Sequence, residues 1–232
     1  MLVGSLAAAL PHMSRARQQA DASWQSGFSV SRSRLRDTGG NAYFRLEPGR
    51  QVTLEGGRTR LVITVLDTTE RVDGVRTRVV EERETEAGSL VEVSRNYFAF
   101  NPADSAVYYF GEDVDTYRNG KIANHAGSWR SGVKGARFGL MMPAHPARGM
   151  RYYQEQARGV AMDRAEVVST TDSVNTAMGV QRQCVRTEET SLLEPGTREY
   201  KQYCPGIGLT VDGDVRLVSV TRRNARPGRS GR

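Results

Sequence analysis

From Tyr43 onward, short runs rich in β-branched and aromatic residues recur roughly every ten positions, each closed by a turn signal. Arg60 to Glu70 carries Val62, Ile63, Thr64, Val65, Thr68 and Thr69, and Asp73-Gly74 then interrupts the pattern. Asp-Gly between two such runs marks a hairpin, because both turn positions want positive φ. Val75 to Glu84, a turn near Ala87-Gly88, Leu90 to Phe100 and Ala106 to Phe110 continue the rhythm. Asn119-Gly120 marks another hairpin, between Asp115-Thr116-Tyr117 and Lys121-Ile122-Ala123. The runs 151–156, 165–170, 180–193, 198–203, 209–211 and 215–220 complete the pattern. Only Leu6 to Ala20 offers a candidate helix, and no fixed-period repeat is present. The expected fold is all-β, an antiparallel meander forming a curved half-barrel or a sandwich, with a short N-terminal helix or leader.

Residues 126–150 break this rhythm with five glycines, Pro143 and Pro146 around the short apolar section Phe138 to Met142. Long structured loops often carry function, so this one is the first place to look for a site.

The ends differ from the body. The formal charge is +7, but Arg222 to Arg232 holds five arginines and no acid. Residues 1–22 hold Arg15, Arg17 and Asp21, so the body is nearly neutral. Along the strands acids and arginines alternate, as in Arg76, Arg78, Glu82 and Glu84, which reads as a solvated sheet face. Such a body is not a nucleic-acid binder, which would gather basic residues on one face. The arginine tail reads as a disordered end, with electrostatic contact to an anionic membrane surface as the alternative. The expected organisation is a signal or leader over 1–22, a polar linker over 23–40, one β domain over 41–221 and the tail over 222–232.

The start, Met1 to Pro11, has an apolar run of signal-peptide length, and Ala20-Asp21-Ala22 matches a cleavage site. Cys184 and Cys204 flank the turn Glu194-Pro195-Gly196-Thr197 and come approximately opposite each other on adjacent strands. A disulfide between them would suit an oxidising compartment. Two buried free thiols are the alternative. The expected location is secreted, periplasmic or cell envelope.

Few familiar active sites fit. There is no G-x-S-x-G elbow, Walker loop, H-E-x-x-H helix or dinucleotide fingerprint, and only His125 and His145 lie in the body. No cofactor and no metal site is expected. Tyr108, Phe110, Trp129, Phe138, Met142 and Tyr152 belong to an aromatic and Met cluster that either fills the core or lines an apolar pocket. On the second reading the partner is a small apolar ligand, a lipid or a glycan. The rival reading is a hydrolase or metal-binding protein using Asp113, Asp115, His125 and Glu155, whose carboxylates would bind a hard cation or act as general acid and base. A purely structural module is the third.

Five stretches carry a resemblance. They are Asn41-Ala-Tyr-Phe-Arg-Leu-Glu-Pro-Gly, Tyr109-Phe-Gly-Glu-Asp-Val-Asp, His125-Ala-Gly-Ser-Trp, Gly139-Leu-Met-Met-Pro-Ala and Tyr203-Cys-Pro-Gly-Ile-Gly-Leu. Over residues 41–211 the chain resembles an uncharacterised family of bacterial exported β-rich proteins, secreted or lipoprotein-like. The Pro-Gly-Ile-Gly-Leu motif is also similar to lipoprotein-carrier half-barrels. The resemblance implies export and β architecture, and it assigns no catalytic residue.

Overall fold

The computed structural model describes residues 24–222. The expected leader, its helix and most of the arginine tail lie outside them. Strands β1 (Arg50–Gly56), β2 (Thr59–Val72), β3 (Val75–Glu86), β4 (Ser89–Asn101) and β5 (Ala106–Arg118) form an antiparallel meander. The turns form where the sequence marks them. Asp73 and Gly74 take φ of 50° and 78°, and Asn119 and Gly120 take 51° and 72°. Asn, Asp and Gly tolerate this left-handed backbone best, and it matches the strand twist.

Residues 126–150 are partly stranded. Short β6 (Lys121–Asn124) and β7 (Trp129–Arg130) fold back on the far half of β5. Strand β8 (Arg137–Met142) pairs with its near half. Then come β9 (Arg151–Tyr153), β10 (Glu155–Gln156), β11 (Asp163–Thr176), β12 (Gly179–Ser191), β13 (Glu199–Cys204), β14 (Gly208–Asp212) and β15 (Val215–Arg222). Strand β15 pairs with β1, which joins the two halves into one sheet. The expected all-β antiparallel meander is present, and it curls beyond a half-barrel. The path β10-β8-β5-β4-β3-β2-β1-β15-β14-β13-β12-β11-β9 nearly closes as a barrel with a seam.

The seam lies within one stretch of chain. Residues 151–153 pair with β11 at Arg164–Glu166, and residues 155–156 pair with β8 at Arg137–Phe138. Gln154 is the hinge at which the strand changes partners. The crossing is tight. A Cβ on Gly139 would lie 2.2 Å from the Gln154 carbonyl oxygen, so only glycine fits there.

Residues 24–40, read from sequence as a polar linker, are docked on the barrel. Gln25 bridges to Tyr152, with its N–H 3.0 Å from the Arg151 carbonyl and its own carbonyl 2.9 Å from the Tyr153 N–H. Arg36 exchanges two 2.8 Å backbone bonds with Phe100. Phe28, Val30 and Leu35 pack on the cluster that includes Val79, Tyr97, Tyr108 and Phe110. The neighbours Val80, Phe98 and Tyr109 belong to a second cluster with Leu46 and Met142. Alternation along the strands thus feeds two apolar layers, and burying each large side chain contributes about 1.5–3 kcal/mol.

Asp37 fixes the end of the docked segment. Its carboxylate accepts 2.8 Å bonds from Arg76 and from the buried Arg78. Burial opposes its ionisation, but the Arg76 hydrogen bond and the charges of Arg78 and Arg76 outweigh that, and its pKa is lowered. The expected disulfide is formed. Val185 registers with Tyr203, which sets Cys184 opposite Cys204 with Cα atoms 4.1 Å apart. Both cysteines are fully buried with Val174 and Val211. Among the described residues no helix is long and apolar enough to cross a membrane.

Candidate functional site: an acidic barrel lumen

Registered partners in a sheet share a face, so the pairings show what the barrel encloses. Across one wall run Val65–Val80–Asn96–Glu112, then Val52–Ile63–Glu82–Ser94, then Leu54–Leu61–Glu84–Glu92. Across the other run Thr187–Lys201–Asp212 and Ala165–Glu189–Glu199. These faces meet around one space. A chamber of about 300 Å³ is lined from both walls, by Glu82, Asn96, Phe98, Tyr109 and Glu112 on one side and Asp163, Glu189 and Lys201 on the other. Gln154 and Glu155 complete it at the seam.

The chamber changes character along the barrel. At one end Val52, Ile63, Val65, Val80, Phe98 and Leu209 line a mostly apolar floor of only about 80 Å³, which Arg45, Arg50, Glu82 and Lys201 also border. At the other end it leads into two openings of about 260 and 560 Å³, rimmed by Glu199 with Glu194 or with Glu84 and Asp212. Lys201 borders all four spaces.

The chamber walls are strongly acidic, and Lys201 is the one lysine or arginine that lines the chamber among the described residues. Its ammonium lies 3.3 Å from Glu189 and 3.7 Å from Asp212. The Glu189 charge first, against the cost of burial, and then Asp212 push its pKa well up, so it stays charged. Gln154 and Thr187 also donate to Glu189, at 3.1 and 3.2 Å.

Among the described residues Glu82, Glu112 and Glu155 have no cation at ion-pair distance. Burial, then the Asp212, Glu92 and Glu189 charges against the pull of Lys201, raises Glu82 to about 7. Burial, against the pull of the Tyr109 hydroxyl, and then the Glu82, Glu92 and Asp163 charges raise Glu112 to about 7 as well. Glu155 is 7% exposed, and burial followed by repulsion from Glu112 and Asp163 pushes it further up. Two buried polar atoms find no hydrogen-bond partner, the Trp129 indole nitrogen and the Tyr152 hydroxyl. The indole N–H still favours the charged form of Glu155, and Glu189 is the charge felt by Tyr152.

The residues singled out from sequence fall in three places. Phe110 and Phe138 stack at 4.8 Å, and Tyr108 meets Phe138 edge-on at 5.9 Å, all under Phe28. Met142 and Tyr152 are fully buried, and Trp129 borders a separate 200 Å³ pocket with Ala157. The lumen is lined by neighbouring positions instead, Tyr109 beside Tyr108 and Met141 beside Met142.

Asp113, Asp115 and His125 gather on the other face of β5. Asp113 accepts 2.7 Å bonds from Arg130 and Tyr97, and Asp115 lies 2.8 Å from His125 and 3.0 Å from Arg95. Glu155 is on the lumen side, so the four residues do not share a cleft. Among the described residues no group of three His, Cys, Asp or Glu side chains is placed to hold a metal.

The alternating acids and arginines of β3 require a correction. A solvated face is expected from their spacing, but Glu82 and Glu84 point into the lumen and Arg78 is buried against Asp37. The period of two is the same for an outer face and for the wall of a wide barrel, so the pattern does not report which side water occupies. No known protein family matches the chain, and no curated protein or solved structure matches it.

Proposed function

We propose that this is an exported, non-catalytic cell-envelope or secreted protein that binds a small amphiphilic molecule in its lumen. The observation that carries this reading is that a mostly apolar space and a 300 Å³ polar chamber adjoin, sharing Glu82, Phe98, Met141 and Lys201 in their linings. That chamber falls at the lower end of ordinary ligand-site volumes, ~300–1,000 Å³. The floor alone is smaller than the ~150 Å³ apolar cavity that takes up benzene, so a purely apolar ligand is a poor fit. A molecule with a short apolar foot and a polar body suits the space better than a lipid with two long chains.

The buried disulfide supports export, because such bonds persist in oxidising compartments. The test is native mass spectrometry of the protein purified from its own host. A co-purified small molecule that leaves on activation, together with a mass showing leader cleavage and an oxidised cysteine pair, supports the proposal. A ligand-free species whose lumen takes up no added amphiphile counts against it.

A further inference from the structure

We propose that the lumen ligand carries a positive charge, and that an organic amine or quaternary ammonium group sits among Glu82, Glu112 and Glu155. This deepens the lumen-binding reading and rests on it.

The first support is a mismatch of charge. Among the described residues no arginine or lysine lies within ion-pair distance of Glu82, Glu112 or Glu155, although all three border the same chamber as Lys201. Buried carboxylates without cations are costly, and proteins ordinarily pair them. The second support is Glu155 itself. It is more than nine-tenths buried and lines both the chamber and its opening, and it accepts no close hydrogen bond among the described residues, with the Trp129 indole N–H the group that favours its charge. The Trp129 indole N–H behind it is likewise unpartnered. Such a carboxylate is an acceptor kept free for something that enters.

The third support is a precedent inside the lumen. The same walls already hold one primary ammonium, that of Lys201, between Glu189 and Asp212. A ligand amine would repeat that arrangement on the opposite wall. Aromatic faces favour the same charge. Phe98 and Tyr109 stack at 4.7 Å and both line the chamber, and the negative face of an aromatic ring attracts a cation. A bare metal ion fits less well, since the carboxylates do not converge as a ligand set. Their spread suits an extended cation with several N–H donors or methyl groups. Elevated carboxyl pKa values agree, because a bound cation would draw those groups back into the ionised form.

The test uses the full-length oxidised protein and three probes of equal chain length: hexylammonium, hexanol and hexanoate. The reporter is the Trp129 indole N–H in an NMR titration at pH 8, with Trp24 outside the lumen as internal control. Hexylammonium is expected to bind at least about tenfold more tightly than hexanol, with hexanoate weakest. Glu112→Gln/Glu155→Gln is expected to remove most of that preference while leaving hexanol binding in place. If the variant fails to fold, the probe ranking on the native chain decides. Hexanol or hexanoate binding as tightly as the amine overturns the charge assignment and leaves the lumen reading standing. If none of the three moves the Trp129 signal, both fall.

Discussion

Glu112→Gln is expected to stabilise the protein at pH 8 and to leave it unchanged at pH 4. The Glu112 carboxyl titrates near 7 in the fold against an ordinary 4.5, because it is buried and faces Glu82, Glu92 and Asp163. A raised carboxyl favours folding only while it can hold its proton. Below pH 4.5 it is protonated in both folded and unfolded chains, and there is no penalty. Between 4.5 and about 7 the unfolded chain ionises first, so stability falls as pH rises. Above 7 the full penalty is present. At about 1.4 kcal/mol per tenfold change in proton activity, that window corresponds to an upper value of about 3 kcal/mol. Glutamine keeps the shape and removes the charge, so it recovers up to that amount at pH 8. For a chain of this size the gain is a rise in melting temperature of about 6–12 °C. Urea unfolding at both pH values, followed by circular dichroism, measures it. An equal change at pH 4 and pH 8, or a loss at pH 8, would refute the placement of Glu112 as a lumen acid without a cation partner.

Other substitutions test the frame. Gly139→Ala sets a methyl group 2.2 Å from the Gln154 carbonyl oxygen and is expected to cost about 1–3 kcal/mol in urea unfolding, whereas Gly27→Ala, with open space around it and no positive φ, costs less. Replacing Cys184 and Cys204 together with alanine releases a 20-residue loop and lowers stability by about 3 kcal/mol, read as a reduced urea midpoint. Asp37→Asn breaks the buried pair with Arg78 and costs about 3 kcal/mol at pH 7. Because the folded Asp37 carboxyl is depressed, its contribution is present above the usual carboxylate range and lost as pH falls through it. The variant and the native chain should therefore converge in stability near pH 2.

Much of the wall was legible in the sequence. Hairpin dipeptides such as Asp73-Gly74 and Asn119-Gly120 have one favourable geometry, and they fix where strands end. The cysteine pair was legible for the same reason, since counting back from the Pro195-Gly196 turn gives the cross-strand register. The docked segment was not. Trp24, Phe28, Val30 and Leu35 are single apolar residues in a polar context, and only their partners on β4, β5, β8 and β9 make them structural. The lumen was hidden more deeply. Glu82 and Glu84 read as a wet surface because alternation looks the same on either side of a sheet. Near-neutral body charge concealed it further. Arginines such as Arg83 and Arg95 on the outside offset acids on the inside, and a sum over the chain cannot register that separation.

The way the seam is made governs how the wall responds to load. A ring yields first at its short ladders, and besides the two-pair β14–β15 ladder these flank Gln154: residues 151–153 on one side and residues 155–156 on the other. Elsewhere long hairpins such as β2–β3 share strain over many bonds. Distortion of the ring therefore concentrates at the strand exchange. Gln154 also reaches inward, with its side-chain amide on Glu189, while its backbone N–H is held 2.9 Å from the Asp163 carbonyl. A weak point of the wall is thus tied, through the Gln154 side chain, to the Glu189 charge at the centre of the barrel.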